Sequence, residues 1–308
     1  MVARREIEGV IGSLLGWVAQ APGLLPSEWT KGRFNPQISH APQWVPYGLV
    51  GVISPWNFPL TLSMIDTIPA LLAGCSVIIK PSEVTPRFAE PLLAAIAQVP
   101  ALTGVLQIVQ GDGATGAALI DMVDAICFTG SVATGRKVAV QAAGRLIPAF
   151  LELGGKDPLI IAASADLDRA IIAALRGSVL STGQACQSIE RIYVARPLYE
   201  AFNQGLTQAA KLVRFNQPDI RVGELGPIIF PRQAEILADQ IEDALEKGAR
   251  LLTGGSIEHH LGGLWLAPTI LVDVDHTMKV MTEETFGPIM PVMAFDSVDE
   301  AVSPAERP

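Results

Sequence analysis

GLVGVISPWNFPLTLSMIDTIPALLAGCSVIIK, residues 48–80, runs from a short apolar stretch through a longer helical one into a second short apolar stretch. Leu49–Ile53 and Ser76–Lys80 read as strands and Leu60–Leu72 as the helix between them, which makes a βαβ unit. The alternation continues with strands at Leu106–Val109, Ala125–Thr129 and Ala149–Leu153. Helices are expected near Pro86–Val99, Ala114–Ile120 and Ala133–Ala143. An α/β fold with a parallel sheet follows, and such a sheet receives ligands beyond the carboxyl ends of its strands.

After Gly154-Gly155 the pattern restarts, with a strand at Leu159–Ala162, a helix at Leu167–Leu180 and a strand at Arg191–Val194, so a second α/β lobe is expected. Residues 27–46, rich in proline and polar residues, read as an extended hairpin-like arm suited to pairing with another chain's sheet edge. Residues 1–26 read as an amphipathic helix. Their uncharged run carries Gly12, Gly16, Gln20, Pro22, Gly23 and Pro26, which a membrane span tolerates poorly. Glu6 and Glu8 break the basic start that a secretory leader needs.

The net charge of −9, with no long basic cluster, speaks against a nucleic-acid partner. Three cysteines without a CxxC pair indicate free thiols and a reducing, cytoplasmic setting. The four histidines show no metal-ligand spacing, so no metal is expected. An apolar fraction of 49% predicts a large core, and the positive mean hydropathy also suggests apolar surface awaiting other polypeptide.

Cys186, in Gly183-Gln184-Ala185-Cys186 with Gln187 and Ser188 following, has the polar setting of a reactive thiol. Cys75 and Cys127 lie in apolar runs and read as buried strand residues. Glu152, between Leu151 and Leu153, reads as a buried carboxylate whose desolvation would suit it to act as a base; the competing reading is a salt bridge to Lys156. Two glycine loops compete for a phosphate. Gly111-Asp112-Gly113-Ala114-Thr115-Gly116 is a literal GxGxxG and wins on pattern alone. Gly130-Ser131-Val132-Ala133-Thr134-Gly135 also joins a strand to a helix, but Arg136 in place of a lysine speaks against a P-loop.

Pro55-Trp56-Asn57-Phe58-Pro59, Lys80-Pro81-Ser82-Glu83, Phe128-Thr129-Gly130-Ser131, Leu151–Lys156, Gly183–Cys186 and Glu283-Glu284-Thr285-Phe286-Gly287-Pro288 occur in that order. The set resembles the NAD(P)-dependent aldehyde dehydrogenase superfamily over residues 47–301. The resemblance implies that Cys186 is the nucleophile, that Asn57 and the Cys186 backbone N–H hold the oxyanion, and that Glu152 activates the hydrolytic water. It implies NAD as cofactor, with NADP possible, bound by Ile53, Trp56, Lys80, Glu83, Gly113, Gly130, Ser131, Gly135, Leu153, Glu284 and Phe286. The pyrophosphate then falls at Gly130 and Ser131, against the preference from pattern. Glu83 would accept ribose hydroxyls and repel a 2′-phosphate, tilting the cofactor toward NAD.

The expected organisation is therefore a helix of the coenzyme domain (1–26), an oligomerisation arm (27–46), a Rossmann-like coenzyme domain (47–154) and an incomplete catalytic domain (155–308). The expected activity is oxidation of a small-molecule aldehyde to a carboxylate through a thiohemiacetal and a thioester. The alternative is a catalytically incompetent truncated fragment that acts as a binding or assembly partner. Relative to the family, this chain carries Asp66 where many members have a lysine nine residues after the asparagine, and it is expected to lack material at both ends. The family's dimer or tetramer is expected less firmly for so short a chain.

Overall fold

A computed structural model describes residues 2–25 and 27–305. Met1, Pro26 and Glu306–Pro308, which end the first and last segments as read from the sequence, lie outside the described residues. The chain forms two compact units, Met1–Leu153 and Gly154–Pro308.

The first unit begins with α1 (Val2–Leu24), followed by a small antiparallel pair, β1 (Thr30–Lys31) and β2 (Ser39–His40). It continues through β3 (Leu49–Ile53), α2 (Pro59–Leu72), β4 (Ser76–Lys80), a 3-10 turn (Pro86–Phe88), α3 (Ala89–Ala97), β5 (Leu106–Ile108), α4 (Gly113–Ile120), β6 (Ala125–Gly130), α5 (Val132–Gly144) and β7 (Ala149–Leu153). The five long-range strands form an all-parallel sheet in the order β5-β4-β3-β6-β7. Strand order runs one way from β3 through β4 and the other way through β6. A crevice therefore opens beyond the paired ends of β3 and β6, where this topology places ligands.

Both faces of the sheet are covered, which explains its near-continuous apolar strands. Val50, Val52, Val77, Ile79, Ala125 and Cys127 pack under α2 and α3. Ile126, Phe128, Ala149, Leu151 and Leu153 pack under α4 and α5. The edge strand β7 has one covered face only, and its alternate residues Phe150 and Glu152 point out to solvent.

The second unit contains β8 (Asp157–Ile161), α6 (Leu167–Val179), a 3-10 turn (Leu180–Gly183), β9 (Ile189–Ala195), α7 (Arg196–Ala210), α8 (Pro231–Glu246), β10 (Arg250–Thr253), β11 (Ile257–His260), β12 (Gly263–Leu266), β13 (Thr269–Val272), α9 (Lys279–Thr282), β14 (Ile289–Phe295) and α10 (Val298–Ala305). Its sheet runs β10-β13-β14-β9-β8, parallel except for β10, which pairs antiparallel with β13. β11 and β12 form a separate hairpin. Side chains such as Tyr193, Leu237, Leu271 and Ile289 fill one face, and Phe202, Leu206, Ile192 and Ile270 fill the other. Among the described residues no helix is long and apolar enough to cross a membrane.

Candidate active site

In the second unit Cys186 is the exposed thiol of the chain, standing on a loop whose neighbours Thr182, Gly183, Gln184 and Ala185 are buried. The loop bends through consecutive left-handed residues, Ser181 (φ 55°), Thr182 (φ 62°) and Gly183 (φ 67°). The first two are strained for side chains bearing a Cβ, so the loop needs outside restraint. Thr182 supplies some: its hydroxyl donates to Gly226 O at 3.2 Å and accepts from Gly226 N at 3.0 Å. Gln184 supplies the rest, donating to Pro227 O at 3.1 Å and accepting from Ile229 N at 2.9 Å. At Gly183 any Cβ would strike the Gly287 carbonyl, so glycine lets the thiol loop lie against the Phe286-Gly287 segment.

That segment carries Glu284 and Phe286, with Phe286 itself left-handed at φ 53°. The Glu284 carboxylate lies so close to Gly154 that a Cβ there would collide with it. One oxygen, Oε1, is buried and has no hydrogen-bond partner. Burial, and then the negative charge of Glu190, push this carboxyl up to about 7. A buried acceptor without a donor is costly unless a ligand completes it.

In the first unit the crevice beyond β3 and β6 collects the remaining candidates. Ile53 ends β3, and the half-buried Trp56 and Asn57 follow it on the loop to α2. Thr85 fixes this loop by donating to Trp56 O at 3.0 Å. Beyond β6, Gly130 leads into Ser131, which caps α5: its Oγ accepts from Thr134 N at 3.4 Å. The exposed start of that helix presents backbone N–H groups suited to an anion. Gly135 is buried and packs on Leu153, so its missing Cβ serves the contact of α5 with β7. Gly113 is the exposed first residue of α4, capped by Asp112, which accepts from Ala114 N at 3.0 Å.

Lys80, buried at the end of β4, donates to Glu83 Oε2 at 3.0 Å. Burial would raise the Glu83 carboxyl, but its own backbone N–H and the Lys80 ammonium more than offset this and hold it low. Nearby Asp112 opposes them. Glu83 thus lies near a second carboxylate, Asp112, and the sequence reading had recognised only the first. Both belong to strand-to-helix connections at the same end of the sheet, which is the signal that could have linked them.

The reading of Glu152 as buried is corrected: it is exposed on edge strand β7. Its leucine neighbours misled because alternation along a strand sends them to the opposite face. Nor does Lys156 salt-bridge to it; the lysine pairs with Glu190 at 3.0 Å. Asp66 on α2 is raised by burial and then by the negative charge of Glu152. Cys127 is buried, and burial followed by the Asp66 charge pushes its thiol to about 12, which makes it inert.

Of the histidines, His276 contacts the Tyr193 hydroxyl at 3.0 Å, His260 contacts Glu258 at 2.8 Å and His40 contacts Thr30 at 3.2 Å. Among the described residues no group of three or more His, Cys, Asp or Glu side chains could hold a metal ion.

The first unit is a doubly covered parallel sheet of the dinucleotide-binding class and the second bears an exposed, clamped thiol. Comparison with known proteins makes the class specific. The model of the aldehyde dehydrogenase family matches residues 3–307, and the chain belongs to that family. It is 43% identical over 263 residues to 4,4'-diapolycopene aldehyde oxidase of Methylomonas sp, covering 83% of this chain and 48% of that protein. A solved structure described as "Putative Aldehyde Dehydrogenase PutA from Anabaena variabilis" superposes with a TM-score of 0.96 at 56% identity, covering 97% of this chain and 64% of that one. A Mycobacterium tuberculosis aldehyde dehydrogenase complexed with NAD+ superposes with a TM-score of 0.91 at 34% identity, covering 96% and 62%. The chain spans about half the length of curated relatives it matches.

Proposed function

We propose that the chain oxidises an aldehyde to a carboxylate by covalent catalysis on Cys186, using a nicotinamide dinucleotide. The observation that carries this reading is the thiol loop packed against Gly287, at the end of the Glu284–Phe286 segment that holds a buried, unpartnered carboxylate oxygen. That oxygen fits a ribose hydroxyl. The start of α5 at Ser131 fits a pyrophosphate, and the Lys80–Glu83 pair fits the hydroxyls of an adenosine ribose. When bound, the dinucleotide supplies a nicotinamide ring that accepts hydride from the substrate carbon.

The Cys186 thiolate adds to the aldehyde carbon, forming a C–S bond and placing negative charge on the carbonyl oxygen. The Asn57 amide and the Cys186 backbone N–H donate to that oxygen and stabilise it. Once hydride has left the carbon, the acyl group remains on Sγ as a thioester. Glu152 takes a proton from water, the resulting nucleophile attacks the thioester, and the C–S bond breaks to release carboxylate and thiolate. Exposure of Glu152 supports this role, since a base for water must reach water. In this reading residues 47–154 bind the coenzyme and residues 155–308 carry the nucleophile. Glu83 and Asp112 together support NAD over NADP. The bare aromatic residues of the arm, Trp29 at 75% and Phe34 at 98% exposure, support a homo-oligomer.

Aldehyde-dependent reduction of NAD tests the proposal. The wild-type chain should turn over, and Cys186→Ala should lose at least about a thousandfold of that rate. A folded wild-type chain that reduces no NAD with any aldehyde would instead favour a non-catalytic binding role.

A further inference from the structure

Four backbone groups of the Glu284–Phe286 segment are held by side chains. Glu190, on β9, accepts from Thr285 N through Oε2 at 2.7 Å and from Phe286 N through Oε1 at 2.8 Å. From α8, Gln240 donates to Glu284 O at 3.1 Å and Gln233 donates to Thr285 O at 2.6 Å. Lys156 closes the network, donating to Glu190 Oε2 at 3.0 Å and to Thr285 Oγ1 at 2.5 Å, while Thr285 Oγ1 donates to Gln240 Oε1 at 2.8 Å. Arg191 Nε in turn donates to Lys156 O at 2.8 Å.

We propose that Glu190 is a positioning residue: its buried carboxylate suspends the Glu284–Phe286 strap so that Glu284 and Phe286 meet the nicotinamide end of the dinucleotide. This rests on the dinucleotide reading above. Glu190 and Lys156 have side chains only 3% exposed each, and a buried ion pair of this kind adds little net stability compared with apolar residues of the same size. What the pair does supply is geometry. A side chain of phenylalanine's bulk at φ 53° does not hold itself there, and the two charge-assisted bonds from consecutive N–H groups to one carboxylate fix the turn that produces it. With the strap fixed, Glu284 is pressed onto Gly154 with Oε1 inward and unpartnered.

The test compares the full chain with Glu190→Gln and with the doubly neutral Glu190→Gln/Lys156→Met, which removes both partners of the buried ion pair. Hydrogen exchange at the Thr285 and Phe286 amides should accelerate at least about tenfold in both variants, with β9 and β14 unchanged. Affinity for NAD should fall about tenfold while affinity for 5′-AMP, which lacks the nicotinamide end, stays the same. A loss of fold would weaken both ligands together. Unchanged exchange at Thr285 and Phe286 overturns the proposal, and so does accelerated exchange with NAD affinity intact. A wild-type chain that binds no NAD removes the dinucleotide reading instead, and the exchange measurement still decides whether Glu190 holds the strap.

Discussion

Cys186 and Glu152 show how differently single residues can be read. Cys186 was legible because polar neighbours, glycine and a family motif agree, and the structure leaves it exposed on a restrained loop. Glu152 was identified by the same motif, but its environment was misread, since residues adjacent in a strand face opposite ways. Glu190 was missed altogether. A charged pair inside the apolar run Ile189–Ala195 announces a buried partner, but the strand was read as starting at Arg191, which left Glu190 in the loop. At this scale Glu83→Ser should raise the use of NADP relative to NAD about fivefold by removing one of two like charges. Comparison of kcat/KM for the two cofactors checks this, and an unchanged ratio would mean that Glu83 does not repel the 2′-phosphate.

The elements of the first sheet were legible almost to the residue, because alternating apolar runs and helical periods leave little choice of topology. The strap was not, since its conformation comes from side chains of β9 and α8, which lie far away in sequence. Its titration gives a prediction. The Glu284 carboxyl is raised to about 7, so the folded chain keeps a proton that the unfolded chain has already lost. Ribose hydroxyls favour the ionised form, and binding therefore expels that proton. Affinity for NAD, followed by titration calorimetry, should rise as pH increases through about 7 and become flat in Glu284→Gln. A second prediction belongs to α2. Asp66 is raised by burial and by Glu152, so it contributes stability below the ordinary carboxylate range that is lost as pH rises through its folded value. Asp66→Asn should melt at higher temperature than wild type at neutral pH, with the gap closing below about pH 4. A wild type more stable than Asp66→Asn at neutral pH would contradict this.

For the whole molecule, the fold class and family follow from motifs spread along the entire chain, and the family match covers residues 3–307. Less legible was the second lobe beyond Val194, where amphipathic helices such as α7 and α8 alternate with short strands that carry no chemical motif. The central claim is the acyl intermediate on Cys186, and Glu152→Gln isolates it by leaving oxidation intact while slowing hydrolysis. Mixing this variant with an aldehyde and NAD, quenching in acid and mapping peptides by mass spectrometry measures it directly. The expected result is a thioester on the Cys186 peptide in amounts equal to a burst of reduced cofactor. A burst without that adduct, or an adduct on Cys75 or Cys127 instead, would contradict it.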